Sequence, residues 1–221
     1  MLEFIQAGGW LMWPIILCSI AAVAIICERF WSLRRKNICP DNLVSDVWQW
    51  AKSGQLDGAR IASLRTASPL GRVLSAGLVN LHQDRIIMRE SIEETGRHVA
   101  HELERFLNTL GTVAVITPLL GLLGTVIGMI DVFTVITSKG VGNPTELAEG
   151  ISKALVTTAA GLSVAIPSLM FHRHFHRKID ELTITMEQEA LKMVEVLHGE
   201  RERDDQFDEA SSDDASEKVT S

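Results

Sequence analysis

The sequence predicts an all-α membrane protein with three transmembrane helices, the second and third extended into a cytoplasmic helical bundle. Three observations predict it. Mean hydropathy is positive although 22% of the residues are charged, so apolar and charged residues are segregated into blocks. Three of the apolar blocks are long enough to cross a bilayer. The clusters of Lys and Arg around them all fall on one side under a single topology.

The first block, Phe4 to Cys27, carries no charged side chain. No Lys or Arg precedes it, which argues against a signal peptide. Arg29, Arg34, Arg35 and Lys36 follow it, placing the N-terminus outside and the chain's next segment in the cytoplasm. Trp10, Trp13 and Trp31 sit where interfacial aromatic anchors are expected. The second block, residues 106–136, is uncharged until Asp131. The third, residues 151–171, contains Lys153 and then only uncharged residues, and it ends at His172-Arg173-His174-Phe175-His176-Arg177-Lys178, a basic flank that again marks the cytoplasm. Between them, residues 137–150 hold Gly140, Gly142, Asn143 and Pro144 and read as a short periplasmic turn.

The soluble parts complete the division. Residues 1–28 comprise the external N-terminus and the first span; residues 29–105 form a cytoplasmic helical region. Within it, Gly54, Gly58, Pro69 and Gly71 read as breaks between short helices. From Asp84 the charged sequence reads as one helix running unbroken into the second span, a rod of roughly 80 Å at ~1.5 Å per residue if it reaches Ile136. Ile87, Ser91, Glu94 and Val99 mark its loosely periodic face. Residues 172–199 prolong the third span, with Ile179, Leu182, Met186, Ala190, Met193 and Leu197 at helical spacing, a face that requires other helices to pack on. Residues 200–221 hold nine acidic and three basic residues, which predicts a disordered, solvated tail.

Composition narrows the function. The formal net charge is −7 and resides almost wholly in that tail, so no basic domain offers itself to nucleic acid. Cys18, Cys27 and Cys39 lack metal-binding spacing. No phosphate-binding GxxxxGK[ST] loop is present, and no nucleophile stands beside a base, so an enzyme is not expected and no cofactor is implied. His172 and His176, four apart, are a possible metal pair, but a basic-aromatic collar at the membrane surface accounts for them better.

The informative residues lie in the spans. Gly121, Gly124 and Gly128 make a small-xxx-small ridge, and Gly161 does the same in the third span, so that neighbouring backbones approach closely. Thr112, Thr117 and Thr125 on the second span, and Thr157, Thr158 and Ser163 on the third, accompany Pro118 and Pro167. Two readings stand side by side: a polar path that water can enter, or hydroxyls that bond helix to helix. Asp131 and Lys153 are the charged groups near the external ends of the spans; they either face each other or Lys153 snorkels outward alone. No carboxylate sits at mid-membrane, so an ion path here needs a titrating group from another chain.

Two blocks, Thr117-Pro-Leu-Leu-Gly-Leu-Leu-Gly-Thr-Val-Ile-Gly128 and Gly150-Ile-Ser-Lys-Ala-Leu-Val-Thr-Thr-Ala-Ala-Gly-Leu-Ser-Val-Ala-Ile-Pro167, resemble the signature of the MotA/TolQ/ExbB proton channel family. The three-span layout is similar to its ExbB/TolQ branch. The resemblance implies a homopentamer in the bacterial inner membrane around two helices of an ExbD/TolR-like partner, each helix bearing the aspartate that binds and releases the proton. It implies that Thr125 and Thr158, with Thr157, line the path, and that Pro118, Gly121, Gly124, Gly128, Gly161 and Pro167 shape the pore and its packing. A TonB- or TolA-like protein would receive the work. One departure is Lys153, where ExbB and TolQ commonly carry a Glu; it reverses the charge at the external mouth and points to a divergent branch.

Overall fold

The computed structural model describes residues 8–40, 42–53, 55–81, 83–140 and 144–219, with all their side chains except those of 51, 139 and 197–219. Among the described residues every regular element is a helix: α1 (Met12–Ser32), α2 (Arg35–Ile38), α3 (Leu43–Lys52), α4 (Gly58–Ala67), α5 (Pro69–Val79), α6 (Arg85–Glu104), α7 (Leu107–Lys139) and α8 (Pro144–Val219). The chain forms two compact units. One holds Met1–Ser32 and Glu104–Lys178, the other Leu33–Leu103 and Ile179–Ser221.

The first unit contains the apolar stretches of α1, α7 and α8, three helices long and apolar enough to cross a membrane. It is the membrane unit of an all-α membrane protein. Helix α1 starts at Met12, after a turn in which Gly9 takes φ +70° and accepts from Met12 N–H at 3.2 Å. Its earlier predicted start at Phe4 lies outside the described residues. The helix runs past the predicted end to Ser32; in its last turns Glu28 and Arg29 pair at 2.5 Å and the Arg29 guanidinium lies 5.0 Å over the Phe106 ring. Trp10, Trp13 and Trp31 are exposed.

Two boundaries differ from the sequence reading. The predicted continuous helix from Asp84 to Ile136 is interrupted: α6 ends at Glu104, a turn occupies Arg105 and Phe106, and α7 begins at Leu107. The interruption falls where charged sequence gives way to apolar, with Arg105 and Arg29 both stacked on Phe106. The expected turn over residues 137–150 is also mostly helix. Helix α7 continues to Lys139, where Gly140 with φ +74° donates its N–H to Ile136 O at 2.9 Å, and α8 starts at Pro144. A glycine past the end of one helix and a proline at the first position of the next are the residues these termini favour.

The second unit is held by large apolar side chains. Met88 and Ile92 of α6, Val73 and Leu74 of α5, and Ile179, Met186 and Ala190 of α8 are fully buried, and Leu182 and Met193 nearly so. The predicted stripe on α8 is therefore its buried face; Leu197 lies outside the described side chains. On α6 the buried face is Met88, Ile92, Gly96 and Val99, while Ile87 is exposed. The sequence reading started that stripe one residue early, because Ile86, Ile87 and Met88 are adjacent and no periodicity chooses among them.

Gly71 is not a break. It is the third residue of α5, and a Cβ there would strike the Leu64 carbonyl of α4. The true break is at Ser68-Pro69, where the Ser68 hydroxyl accepts from Gly71 N–H at 3.0 Å and caps the helix. The backbone of α8 is helical to Val219, past Gly199, where composition predicts that order ends. No Gly or Pro follows Gly199 to break it.

Candidate functional site

Helices α7 and α8 meet along a seam of small residues. Buried Thr117, Gly121, Gly124, Gly128 and Val132 of α7 face Gly150 and buried Ala154, Thr157 and Gly161 of α8, with half-buried Thr158, across close contacts. The buried stripes continue through Ala114 on α7 and through Ala165 and Ser168 on α8. Every spacing between buried residues is three or four, so each set forms one stripe on its helix. The glycines are there for proximity. A Cβ on Gly161 would lie 2.7 Å from Thr117 O and 3.3 Å from Gly121 Cα. One on Gly121 would lie 3.0 Å from Thr158 Cα, and one on Gly128 would lie 2.8 Å from Ala154 Cβ. Gly124 admits the Thr157 methyl, 2.5 Å from where its Cβ would be.

The three threonines read as path-lining have different surroundings. Thr157 is 1% exposed. Its hydroxyl reaches Lys153 O at 2.8 Å and Gly8 O at 3.1 Å, tying the segment before α1 to α8. Thr158 is half-buried, and its hydroxyl donates across the seam to Gly121 O at 2.9 Å. Thr125, also half-buried, returns its hydroxyl to Leu122 O of its own helix at 2.6 Å. Thr117 is fully buried and bonds Val113 O; Thr112 bonds Asn108 O at 2.8 Å. Pro118 and Pro167 lie inside α7 and α8, where each removes one helical donor.

Asp131 and Lys153 do face each other. Lys153 Nζ lies 3.8 Å from Asp131 Oδ2, and its stem packs on Gly9, where a Cβ would meet Nζ at 3.1 Å. Both side chains are over a third exposed, so the pair positions charge more than it adds stability.

At the opposite end of the seam the structure joins the His172 and His176 pair noted in the sequence to Gly111 and Glu104. The His172 ring fills the space left by Gly111, with Nε2 2.9 Å from where a Cβ would be. His172 and His176 stack at 6.0 Å between centroids, and His176 Nδ1 is 3.1 Å from Glu104 Oε1. His174 turns elsewhere, onto Phe30 at 6.3 Å and Phe175 at 5.6 Å. The signal for this cluster was Gly111 itself, ten residues before Gly121 and one before Thr112, a further small residue in an otherwise apolar helix.

Between these ends, residues 107–130 and 154–171 contain no Asp, Glu, Lys, Arg or His. The seam can offer hydroxyls and backbone carbonyls to an ion, but it cannot hold a proton in its middle. Leu119, Leu122, Val126, Phe133, Leu155, Ile166 and Met170 are exposed around it, leaving apolar surface for lipid or for other helices.

The model of the MotA/TolQ/ExbB proton channel family matches residues 65–188, which include the whole seam. A protein of Synechocystis sp. named ExbB-like 1, in biopolymer transport, is 37% identical over 174 residues, covering 77% of this chain and 68% of its own length. The biopolymer transport protein exbB1 of Vibrio cholerae is 31% identical over 170 residues, 74% of each chain. The biopolymer transport protein ExbB of Salmonella typhimurium is 30% identical over 162 residues, covering 65% of this chain and 66% of its own.

Proposed function

We propose that this chain, which belongs to the MotA/TolQ/ExbB proton channel family, is the ring-forming subunit of an inner-membrane proton-driven motor in biopolymer transport. It acts without covalent chemistry. Five copies enclose a partner dimer of the ExbD/TolR kind, whose membrane aspartates carry the proton past Thr158 and Thr125. Thr157, closed in by Gly124 and Gly8, packs rather than conducts. The N-terminus lies in the periplasm, and the unit built on α2 to α6 with the end of α8 lies in the cytoplasm. One elementary charge crossing 100 mV releases about 2.3 kcal/mol, so repeated transfers around a ring are needed to drive a TonB- or TolA-like protein through a mechanical step.

The observation that carries this reading is the seam's chemistry: a half-buried Thr158 hydroxyl between two helices whose apposed segments contain no titratable group. Thr158→Val keeps the shape and removes the hydroxyl. In vesicles holding the chain with its partner, it is expected to abolish uncoupler-sensitive proton flux while the complex keeps its size. Full flux in Thr158→Val and in Thr125→Val would remove the basis of the proposal.

A second reading has a specific observation behind it. The hydroxyls of Thr112, Thr117, Thr125, Thr157 and Thr158 all have acceptors within the chain, as helix-to-helix glue would. A non-conducting scaffold for partner proteins would then lose assembly, not flux, when Thr158 is replaced.

A further inference from the structure

The seam ends in titratable groups on both sides; the sequence offers Asp131 with Lys153 at one end and His172 with His176 at the other, and only the structure adds Glu104. The geometry points to His172, His176 and Glu104 as the groups that exchange the proton between the hydroxyl-lined path and the cytoplasmic solvent; this rests on the proton-channel reading. His172 is half-buried at the end of the seam, on Gly111, one residue before Thr112. His176, one turn further along α8, has about half of its side chain exposed. Their ring centroids lie 6.0 Å apart, and transfer between them is taken to pass through one bridging water. Glu104 fixes His176 through Nδ1 at 3.1 Å, which leaves Nε2 to exchange with solvent. The order from path to water is therefore His172, then His176.

The surrounding charges fit an acceptor that gives its proton up. Burial first, then His176 and Arg173 beside it, hold the His172 pKa below the usual imidazole value. Neutral His172 takes a proton from the path at one ring nitrogen and loses one to the bridging water. His176 gains that proton at Nε2 and releases it to solvent, so each ring returns to neutral after one transfer. The other charged groups at this end are Arg177 and Lys178 on α8, Arg105 in the turn after α6, and the Glu28–Arg29 pair on α1. His174, itself exposed, lies against Phe30 rather than His176.

The test is proton flux through the full complex in vesicles, measured against the pH on the cytoplasmic side. His172→Gln and His176→Gln are expected to lower flux about a hundredfold near pH 7, and His172→Gln to flatten its pH dependence below the usual imidazole value of about 6.5, the side to which its surroundings shift it. Added small imidazole buffer should restore most of the flux, which a merely structural defect would not permit. Glu104→Gln should give a smaller loss with a displaced pH profile. Wild-type flux and an unchanged profile in His172→Gln and His176→Gln, with Thr158→Val still inactive, would overturn the inference and leave the channel standing. Absence of flux in the wild-type complex would overturn both.

Discussion

One helix, α8, carries buried residues at three- and four-residue spacing in both units, but the residues differ in size. In the membrane unit they are Ala154, Thr157, Gly161, Ala165 and Ser168; in the other unit they are Ile179, Leu182, Met186, Ala190 and Met193. Phe175 stands between the two sets, its ring edge-on to Phe30 at 5.1 Å. The difference follows from the solvent. Lipid is as apolar as leucine, so burying leucine against another helix gains little there, and helices associate by close backbone approach, dispersion and hydrogen bonds. In water the same stripe is stabilised by removing large apolar side chains from solvent, at about 25 cal/mol per Å². The partners match: Gly121, Gly124 and Gly128 face the small set, while Met88 and Ile92 lie in the core with the large one.

The contrast is testable by changing size in opposite directions. In the second unit, deletion should hurt most. Met186 is fully buried, and Met186→Ala is expected to cost about 2–5 kcal/mol, read as a lowered midpoint in thermal or denaturant unfolding of the purified chain. In the membrane unit, insertion should hurt. Gly161→Ala places a methyl 2.7 Å from the Thr117 carbonyl. Backbone cannot rotate away as a side chain can, so about 1–3 kcal/mol is expected.

The matched insertion in the second unit is Gly77→Ala. Its Cβ would meet only the tips of Val194 and Ile92, at 2.9 and 3.0 Å. Those tips can shift, and alanine regains up to about 1 kcal/mol of helix propensity, so a change within about 1 kcal/mol of zero is expected. If Gly77→Ala proves as damaging as Gly161→Ala, the distinction between backbone-limited and side-chain-limited packing collapses.

These residues also show what the sequence could reveal. The spans, the glycine ridge and the stripe on α8 were legible because each is a long periodic signal on one element. The phase of α6 was not, since three consecutive apolar residues offered three phases and the choice depended on what lay opposite. Gly71 and Gly111 were opaque for a related reason. A lone glycine outside such a ridge reads as freedom or as a break, and only the Leu64 carbonyl or the His172 ring beside it shows that it is a space for a neighbour. The ion pair of Asp131 with Lys153 was one of two readings, and its choice needed the stem of Lys153 to lie on Gly9. The threonines were legible as a group but not individually: the positions of Gly8 and Gly121 separate buried Thr157, bonded to Gly8 O, from half-buried Thr158, bonded across the seam to Gly121 O.

The smallest expected effect probes electrostatics in the second unit, where a carboxylate intrudes on the packed face. Glu187 lies against Gly96, whose Cβ would be 2.7 Å from Oε1. Burial, then the Glu93 carboxylate, raises its pKa above the ordinary value, with Arg97 opposing. A raised folded-state pKa means that the folded protein holds this proton to higher pH than the unfolded chain does. Its contribution is therefore fully present below the unfolded value and is lost as pH rises through the folded one. Glu187→Gln removes that loss. The variant should melt slightly higher than the wild type at pH 7, and the difference should shrink as pH falls toward the unfolded glutamate pKa, about 4.3. A difference that stayed constant with pH would assign the effect to packing against Gly96. A variant that melted lower at pH 7 would mean that attraction to Arg97 outweighs the burial of the charge.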